Sequence, residues 1–397
     1  MTRVTQRVAT MQEAATLKMA RLARELRGAG KDVISLAVGE PDFDTPDHIK
    51  QAAVEALAAG HTKYTPVPGV AALREAIVAK FKRENALDYA PDNIVVSTGA
   101  KQSLINVCLA LLEAGDEAIL LAPYWVSYFE MARFAGARPV VVSAGIEQNY
   151  KITPEQLAAA ITPATRLIVL NSPSNPTGSM YSRAELEALA AVICQHDDLF
   201  VVSDEIYEYI TFGTPHVSIG TLPGMAERTI TINGFSKGFA MTGWRLGYLG
   251  APQWIAAAVG KIQGQFTSGT NAFAQVAGVT ALNADRSSSA AMCAAYQRRR
   301  DLLCELVSDI PGMQCNVPDG AFYVFPNTTA LYGKRFGDTV IDGSVALCEL
   351  LLTEAHVALV PGAAFGDDRS IRFSGAAADD VLREGVSRVA RVLDQLQ

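Results

Sequence analysis

The stretch NGFSKGFAMTGWRLG, residues 233–247, contains two candidate nucleophiles in adjacent positions. Its segment GFSKG matches the G-x-S-x-G pattern that presents a nucleophilic serine, here Ser236, in α/β hydrolases. The next residue, Lys237, is instead a primary amine that could form a Schiff base with a carbonyl cofactor, with Arg245 eight residues further on. The rest of the sequence must decide between these two chemistries.

A serine hydrolase would need an acid and then a histidine downstream of Ser236, and backbone donors upstream of it. One histidine follows the serine, His356 in LLTEAHVALVPG, where the pattern places it at the start of a strand. No HGGG-like segment precedes the serine. A serine hydrolase therefore has little support from the sequence and is kept only as an alternative.

Lys237 is accompanied in the sequence by more of the residues that its chemistry would need than Ser236 is. Pyridoxal phosphate needs a lysine for its aldehyde, an acid for its pyridine nitrogen, donors for its phenolic oxygen and a polar cradle for its phosphate. Ligands of open α/β sheets bind at the carboxyl ends of the strands, and each requirement has a candidate there. In the order of those requirements, the candidates are Lys237; Asp204 in VVSDEIYEY; Asn175 in NSPSNPTG and Tyr207; and Gly99, Ala100 and Arg245, with Lys101 adding charge. The set predicts a pyridoxal 5'-phosphate site.

Apolar runs that alternate with helical segments must position these residues. From about residue 93 these runs are NIVVS, EAILLA, RPVVVS, RLIVLN, LFVVSD and RTITIN. Short runs rich in β-branched residues are typical of strands buried on both faces, so we expect an α/β fold with a mostly parallel central sheet flanked by helices. Beyond about residue 285 the alternation stops, which indicates a smaller α+β lobe built from the two chain ends. We expect residues 1–47 to pack with the small domain, 48–285 to form the large cofactor-binding domain and 286–397 to form the small C-terminal domain.

Composition excludes several classes of protein. The chain has 397 residues and a net charge of -7, and it shows no cluster of Lys and Arg that could neutralise nucleic-acid phosphates. Its six cysteines include no C-x-x-C pair, so we expect neither a metal site nor a disulfide framework. No segment approaches 18 consecutive apolar residues and the N-terminus lacks the apolar stretch of a signal peptide. We therefore expect a cytoplasmic protein that binds neither membranes nor nucleic acid.

Ordered motifs along nearly the whole chain resemble the pyridoxal-phosphate-dependent aminotransferases of fold type I, class I, and among them the bacterial aspartate aminotransferases. The motifs are SLAVGEPDFDTP, KYTPVPG, STGAKQ, APYWVSY, NSPSNPTG, SDEIYE, NGFSKGFAMTGWRLGY, GAFYVFP and IRFS. The resemblance implies transamination between L-aspartate and 2-oxoglutarate, giving oxaloacetate and L-glutamate by a ping-pong route. It leaves open a broader range that includes aromatic amino acids, alanine or prephenate. It also implies a homodimer with shared active sites, whose small-molecule substrates are amino acids and 2-oxo acids.

The resemblance also implies a role for each matching residue. Lys237 would carry the cofactor as a Schiff base and act as the acid–base group, with Asp204 paired to the ring nitrogen. Further cofactor contacts would come from Asn175 and Tyr207 at the phenolic oxygen, Trp125 against the ring, and Gly99, Ala100, Lys101, Ser236 and Arg245 around the phosphate, with Tyr64 reaching it from the neighbouring subunit. Substrate contacts would come from Arg372 in SIRFSG and Gly39 at the α-carboxylate, from Lys101 at the distal carboxylate of acidic substrates, and from Trp125 and Asn175.

The sequence departs from the animal and enterobacterial type of aspartate aminotransferase at two points. That type carries a serine three residues before the lysine, where this chain has Gly234, so Ser236 is the expected substitute near the phosphate. The arginine that crosses the dimer to the distal carboxylate in that type has no counterpart in QFTSGTNAFAQ. Preference for acidic substrates would therefore depend on Lys101.

Overall fold

A computed structural model describes residues 4–11, 13 and 15–397 of the chain. The strands are β1 Ile34–Ser35, β2 Ile94–Ser97, β3 Glu117–Ala122, β4 Arg138–Ser143, β5 Thr165–Asn171, β6 Phe200–Asp204, β7 Thr229–Gly234, β8 Gly247–Gly250, β9 Tyr323–Val324, β10 Arg335–Phe336, β11 Thr339–Val340, β12 Val357–Ala358, β13 Val360–Pro361 and β14 Ile371–Ser374. The α-helices are α1 Gln6–Ala9, α2 Ala15–Gly28, α3 Asp47–Ala58, α4 Ala71–Lys80, α5 Ala100–Leu111, α6 Ser127–Ala135, α7 Pro154–Ala160, α8 Arg183–Ile193, α9 Gln253–Phe266, α10 Ala272–Asn283, α11 Ser287–Ser308, α12 Ser344–Thr353 and α13 Asp379–Leu393.

The main sheet of the described chain has seven strands in the order β2-β8-β7-β6-β5-β3-β4. Neighbouring strands are parallel except at β8, which runs antiparallel to both β2 and β7. All six apolar runs form strands of this sheet, and most of their residues are buried because helices cover both faces. The prediction of an α/β fold with a mostly parallel sheet is therefore confirmed.

Strand β8 is missing from the sequence prediction. Its four residues, GYLG, begin and end with glycine, which is uncommon in strands, and no turn signal separates them clearly from the preceding segment. The close packing of the sheet explains these glycines: a Cβ on Gly247 would collide with the backbone nitrogen of Ala100. The glycines that make this strand hard to predict from sequence are thus required by the close packing around it.

Residues from both ends of the chain share a second hydrophobic core. Strand β1 pairs in parallel with β12, while β13, β14 and β9 form an antiparallel sheet. Met19 and Leu36 from the N-terminal segment are buried in one cluster with Phe325, Leu351 and Val389. Residues near the two ends of the chain are thus packed together in this cluster. The division into domains at residues 47 and 285 stays a prediction.

Helix α4 continues directly into a π-helical turn at Phe81–Asn85. Its apolar face is buried, with Leu73, Ile77 and Phe81 inaccessible to solvent. Within the described residues no helix combines the length and the apolar character needed to cross a membrane.

Candidate active site

The carboxyl ends of β5, β6 and β7 meet at one edge of the main sheet because the three strands are parallel neighbours. Asn171 and Asp204 end β5 and β6 in register, and the Asn171 amide donates to the Asp204 carbonyl oxygen at 2.9 Å. Beyond this edge lies a cavity of about 440 Å³. The expected site residues that line it are Gly39, Ala100, Lys101, Trp125, Asn175, Asp204, Tyr207, Ser236, Lys237, Arg245 and Arg372. The structure thus brings together eleven of the predicted residues.

Lys237 lies in the loop after β7, and its Nζ donates a hydrogen bond to the carbonyl oxygen of Gly39 at 2.6 Å. Burial lowers the pKa of its amine to about 8, and the positive charges of Arg372 and Arg245 act in the same direction, while Glu40 opposes them. An amine with this pKa is present in both protonation states near neutral pH. Lys237 can therefore act as a nucleophile and as an acid–base group in the same site.

Asp204 is buried at the end of β6, and burial raises the pKa of its carboxyl group to about 6. The Tyr128 hydroxyl donates to its Oδ2 at 2.6 Å, and the Ile206 amide donates to its Oδ1 at 3.3 Å. Tyr128 is a site residue that the sequence analysis missed. Its position three residues after Trp125 in APYWVSY, in the first turn of α6, is the signal that could have identified it.

Tyr207 and Tyr323 form a buried pair whose hydroxyl groups are 2.8 Å apart. Burial raises the pKa of Tyr207 well above its ordinary value, so its hydroxyl remains a proton donor. Tyr323 was also missed, although it lies in the GAFYVFP motif. A Cβ on Gly39 would collide with the Tyr323 hydroxyl, which explains why glycine occupies position 39.

Arg372 on β14 is a buried cation, with 1% of the residue exposed. Its Nη1 donates to Asn175 Oδ1 at 2.8 Å and its Nη2 donates to the Ala37 carbonyl oxygen at 2.6 Å, while its Nε lacks a hydrogen-bond partner. Its guanidinium lies 4.4 Å from the centre of the Tyr323 ring. No carboxylate of the described residues forms an ion pair with it, so its charge is available for an anionic ligand.

The N-terminus of α5 forms an anion-binding cradle with Arg245. Gly99 precedes the helix with a φ of +80°, and a Cβ there would lie 2.6 Å from Arg245 Nη2. The first amides of a helix lack intrahelical partners and carry partial positive charge, so α5 and Arg245 together favour a phosphate-sized anion. Ser236 faces the same cavity. Gly99 itself is not among the lining residues but makes room for Arg245.

Lys101 also lines a second, larger cavity of about 830 Å³. Its Nζ lies 4.9 Å from the centre of a Trp125 ring, and partial burial together with Arg245 lowers the pKa of its amine. The larger cavity has mostly apolar walls, formed in part by Ile105, Phe129 and Phe134. Among the described residues, Lys101 is the one that lines both cavities.

Two residues considered from sequence lie elsewhere. Tyr64 is 99% exposed and does not line the cavity of its own chain. His356 directly precedes β12 in the small lobe, and none of the described residues that line the cavity is a histidine. Ser236 therefore lacks the histidine that a hydrolase would require, and the alternative has no support in the geometry.

The residues present fit pyridoxal 5'-phosphate. One cavity combines a partly buried amine, a buried carboxyl group, a hydroxyl donor and a helix N-terminus cleared of side-chain bulk by Gly99. These groups correspond to the aldehyde, ring nitrogen, phenolic oxygen and phosphate of the cofactor.

Comparisons with known proteins agree with this assignment. The family model described as "Aminotransferase class I and II" matches residues 31–389. An aspartate aminotransferase of Pinus pinaster is 47% identical, over 98% of this chain and 80% of its own. An aspartate/prephenate aminotransferase of Nitrosomonas europaea is 45% identical, over 98% of this chain and 100% of its own. The crystal structure of an aspartate aminotransferase from Rhizobium meliloti, 41% identical and covering 100% of both chains, superimposes with a TM-score of 0.97. The chain belongs to the class I and II aminotransferases, enzymes that use pyridoxal 5'-phosphate.

Proposed function

We propose that this aminotransferase exchanges the amino group between L-aspartate and 2-oxoglutarate, forming oxaloacetate and L-glutamate. The observation that carries amino-group transfer is Arg372, a buried guanidinium in the same cavity as the Lys237 amine, with no ion-pair partner among the described residues, whereas the preference for acidic substrates depends on Lys101. Burying an unpaired charge is costly, so such a cation is expected to receive a ligand carboxylate. Amino acids and 2-oxo acids share that group next to their reacting carbon.

The cofactor, when bound, supplies a carbonyl group that condenses with amines and a ring that withdraws electrons from the substrate carbon bearing the amino group. The α5 N-terminus at Gly99 and Ala100, with Ser236 and Arg245, would hold its phosphate. Asp204 would face its ring nitrogen, Asn175 and Tyr207 would face its phenolic oxygen, and Trp125 would pack on the ring. A buried carboxylate favours the protonated form of a ring nitrogen because the two charges are opposite.

Lys237 would move the proton in each half-reaction. With a pKa of about 8, its free Nζ can take a proton from the substrate Cα and later release one. The Gly39 carbonyl oxygen, which accepts a hydrogen bond from Nζ, would keep the amine oriented when it is not covalently engaged. Because amino donor and acceptor use the same residues in turn, we expect ping-pong kinetics.

Substrate range would be set at Lys101. Its ammonium lies between the two cavities and could pair with the distal carboxylate of aspartate or glutamate. The larger cavity beyond it leaves room for aromatic side chains or for prephenate, and one relative is named an aspartate/prephenate aminotransferase. A broad-range aminotransferase is therefore the second candidate function.

We further propose a cytoplasmic homodimer. Tyr64 is a large aromatic residue left entirely exposed, and a second subunit would give it a place at the phosphate of the neighbouring site. The large domain would then comprise residues 48–285, with the N-terminal segment and residues 286–397 forming the small domain.

A panel assay on the purified, cofactor-loaded protein tests the proposal. Amino donors such as L-aspartate, L-alanine, L-phenylalanine and L-tyrosine are offered with 2-oxoglutarate, and prephenate is offered with L-aspartate, while L-glutamate and the new amino acids are quantified. The proposal predicts the highest kcat/KM for aspartate and parallel lines in double-reciprocal plots. A higher kcat/KM for an aromatic donor or for prephenate would favour the second candidate, and no transfer with any pair would refute both.

A further inference from the structure

We propose that Arg299 is a positioning residue that holds the Gly39 loop, residues 37–43, against the small lobe and thereby sets the position of Lys237. The inference rests on the proposed function, because it assigns a role in the same reaction to a residue outside the cavity. Neither Arg299 nor its partner Asp42 lines the cavity itself.

The Gly39 loop contacts two of the charged residues expected to handle the substrate, Arg372 and Lys237. The Ala37 carbonyl oxygen accepts from Arg372 at 2.6 Å, and the Gly39 carbonyl oxygen accepts from Lys237 at 2.6 Å. In addition, the Thr242 hydroxyl donates to the carboxylate of Glu40. A shift of this loop would therefore change the distance between the carboxylate-binding arginine and the amine that moves the proton.

One guanidinium anchors the far end of the loop. Arg299 on α11 forms a bidentate ion pair with Asp42, with Nη1–Oδ1 at 2.8 Å and Nη2–Oδ2 at 2.9 Å. The Arg299 Nε also donates to Oδ1 of Asp379, in the first turn of α13, at 3.4 Å. The Cζ of Arg299 lies 5.2 Å from the centre of the Phe43 ring. The Arg299 side chain is only 8% exposed and the Asp42 side chain is 29% exposed, so the ion pair is shielded from solvent mainly on the arginine side.

The bidentate geometry makes arginine the suitable residue at this position. Two parallel N–H donors fix the orientation of the Asp42 carboxylate as well as its distance, and a lysine ammonium cannot do so. Loss of the pair would let Gly39 and Glu40 move away from Lys237. Both groups favour the protonated amine, through a hydrogen bond and a negative charge, so their withdrawal would make Lys237 easier to deprotonate. The other charged and titratable groups that face Lys237, namely Asp204, Tyr207, Arg245 and Arg372, lie outside the Gly39 loop.

The chain offers a matched control in Arg298. This neighbouring residue also pairs with Asp379, at 3.1 Å, but it is mostly exposed and makes no contact with Asp42. R299M and R298M therefore both remove a positive charge next to α13, and only R299M releases the Gly39 loop. A D42N variant releases the loop from its other side without disturbing α11.

The experiment compares R299M, R299K, D42N, the double variant D42N/R299M and R298M as cofactor-loaded proteins. We expect kcat for aspartate to fall about ten- to a hundredfold in R299M, as a displaced catalytic group would cause, with a smaller change in KM. The acidic limb of the kcat–pH profile should move to lower pH, and so should the pH midpoint of the bound cofactor's visible absorbance. R299K should recover part of kcat, and the double variant should lose no more than R299M, because both substitutions remove the same pair. R298M should match the wild-type protein.

Equal losses in R298M and R299M would overturn the inference, since the effect would then come from the packing of α11 on α13. An R299M variant with a lower unfolding temperature but unchanged kcat, pH profile and absorbance midpoint would overturn it as well, by reducing the pair to a stabilising contact. The double variant removes both charges, so it shows whether an effect in R299M comes from leaving the Asp42 carboxylate without its partner. Failure of the proposed function is distinct, because the wild-type protein itself would then transfer no amino group.

Discussion

Replacing Arg372 with lysine tests the central element of the proposed site. Arg372 uses Nη1 and Nη2 to bind Asn175 and Ala37, and its planar group can still present N–H donors to a ligand carboxylate. A lysine would keep the charge but offer a single nitrogen, so it could not maintain both protein contacts and a two-point grip on the ligand. One charge-assisted hydrogen bond to the substrate should be lost.

The expected size of the effect follows from the strength of such a bond. A hydrogen bond to a charged group contributes about 1.5–3 kcal/mol, and a loss of about 2 kcal/mol corresponds to roughly a thirtyfold change. We therefore expect R372K to lower kcat/KM by about thirtyfold, mainly through a higher KM. The factor should be similar for aspartate, alanine and phenylalanine, because the α-carboxylate is common to all three.

Initial-rate measurements over a range of donor concentrations provide the test, with R369K as the control. Arg369 lies three residues earlier in the chain, pairs with Asp367 at 2.7 Å and is absent from the cavity wall, so R369K should leave the kinetics unchanged. An unchanged KM in R372K would remove Arg372 from the substrate site. A loss confined to aspartate would instead assign it to the distal carboxylate and contradict the reasoning.

Three further predictions concern other residues. K237A should lose both the visible absorbance of the bound cofactor and transamination, whereas S236A should keep measurable activity; the reverse result in spectroscopic and rate assays would restore the hydrolase alternative. K101S should reduce kcat/KM for aspartate more than for alanine, since only aspartate carries a distal carboxylate, and equal losses in the same rate assay would limit Lys101 to the phosphate. Burial lowers the pKa of His216, but the Glu205 carboxylate 2.9 Å away outweighs burial, so the pKa of His216 is raised overall. The ion pair therefore stabilises the fold fully below the ordinary histidine pKa of about 6.5, and this stabilisation is lost as pH rises through the raised pKa of the folded state. Urea unfolding of wild type and H216Q from pH 5.5 to 8.5 should therefore show a difference in stability that shrinks with rising pH, and a constant difference would contradict this account.

The sequence predicts the main sheet well because its strands carry a local signal. A strand that is buried on both faces must be apolar throughout, so runs such as EAILLA and LFVVSD are visible without any knowledge of their neighbours. The same logic places Asn171 and Asp204 at the ends of their strands, where each apolar run gives way to polar residues. The site edge follows from the topology of a parallel sheet.

What the sequence could not supply are contacts between distant segments. Tyr128 reaches Asp204 across 76 residues, and Tyr323 reaches Tyr207 across 116. Both tyrosines lie in recognisable motifs, but neither motif indicates which distant residue the hydroxyl contacts. The Arg299–Asp42 pair spans 257 residues and depends on how the N-terminal segment packs on α11. Hydrogen-bonding and ion-pairing partners of this kind are determined by tertiary packing, and such long-range contacts leave no periodic pattern in the sequence.

Arg372 stands out from the other buried cations in how its charge is compensated. Lys80 pairs with Glu208 and donates to Asn85 at 2.7 Å, in a network that also brings Glu205 and His216 together. Arg299 has its bidentate carboxylate partner, as described above. Arg372 is more deeply buried than Arg299, yet among the described residues it has only neutral acceptors. Its desolvation is therefore offset only when a ligand supplies a carboxylate, and this makes affinity for that group a consequence of the fold itself. A dicarboxylate that the enzyme binds without reaction should accordingly stabilise the cofactor-loaded protein against unfolding, and the R372K variant should respond less at the same ligand concentration.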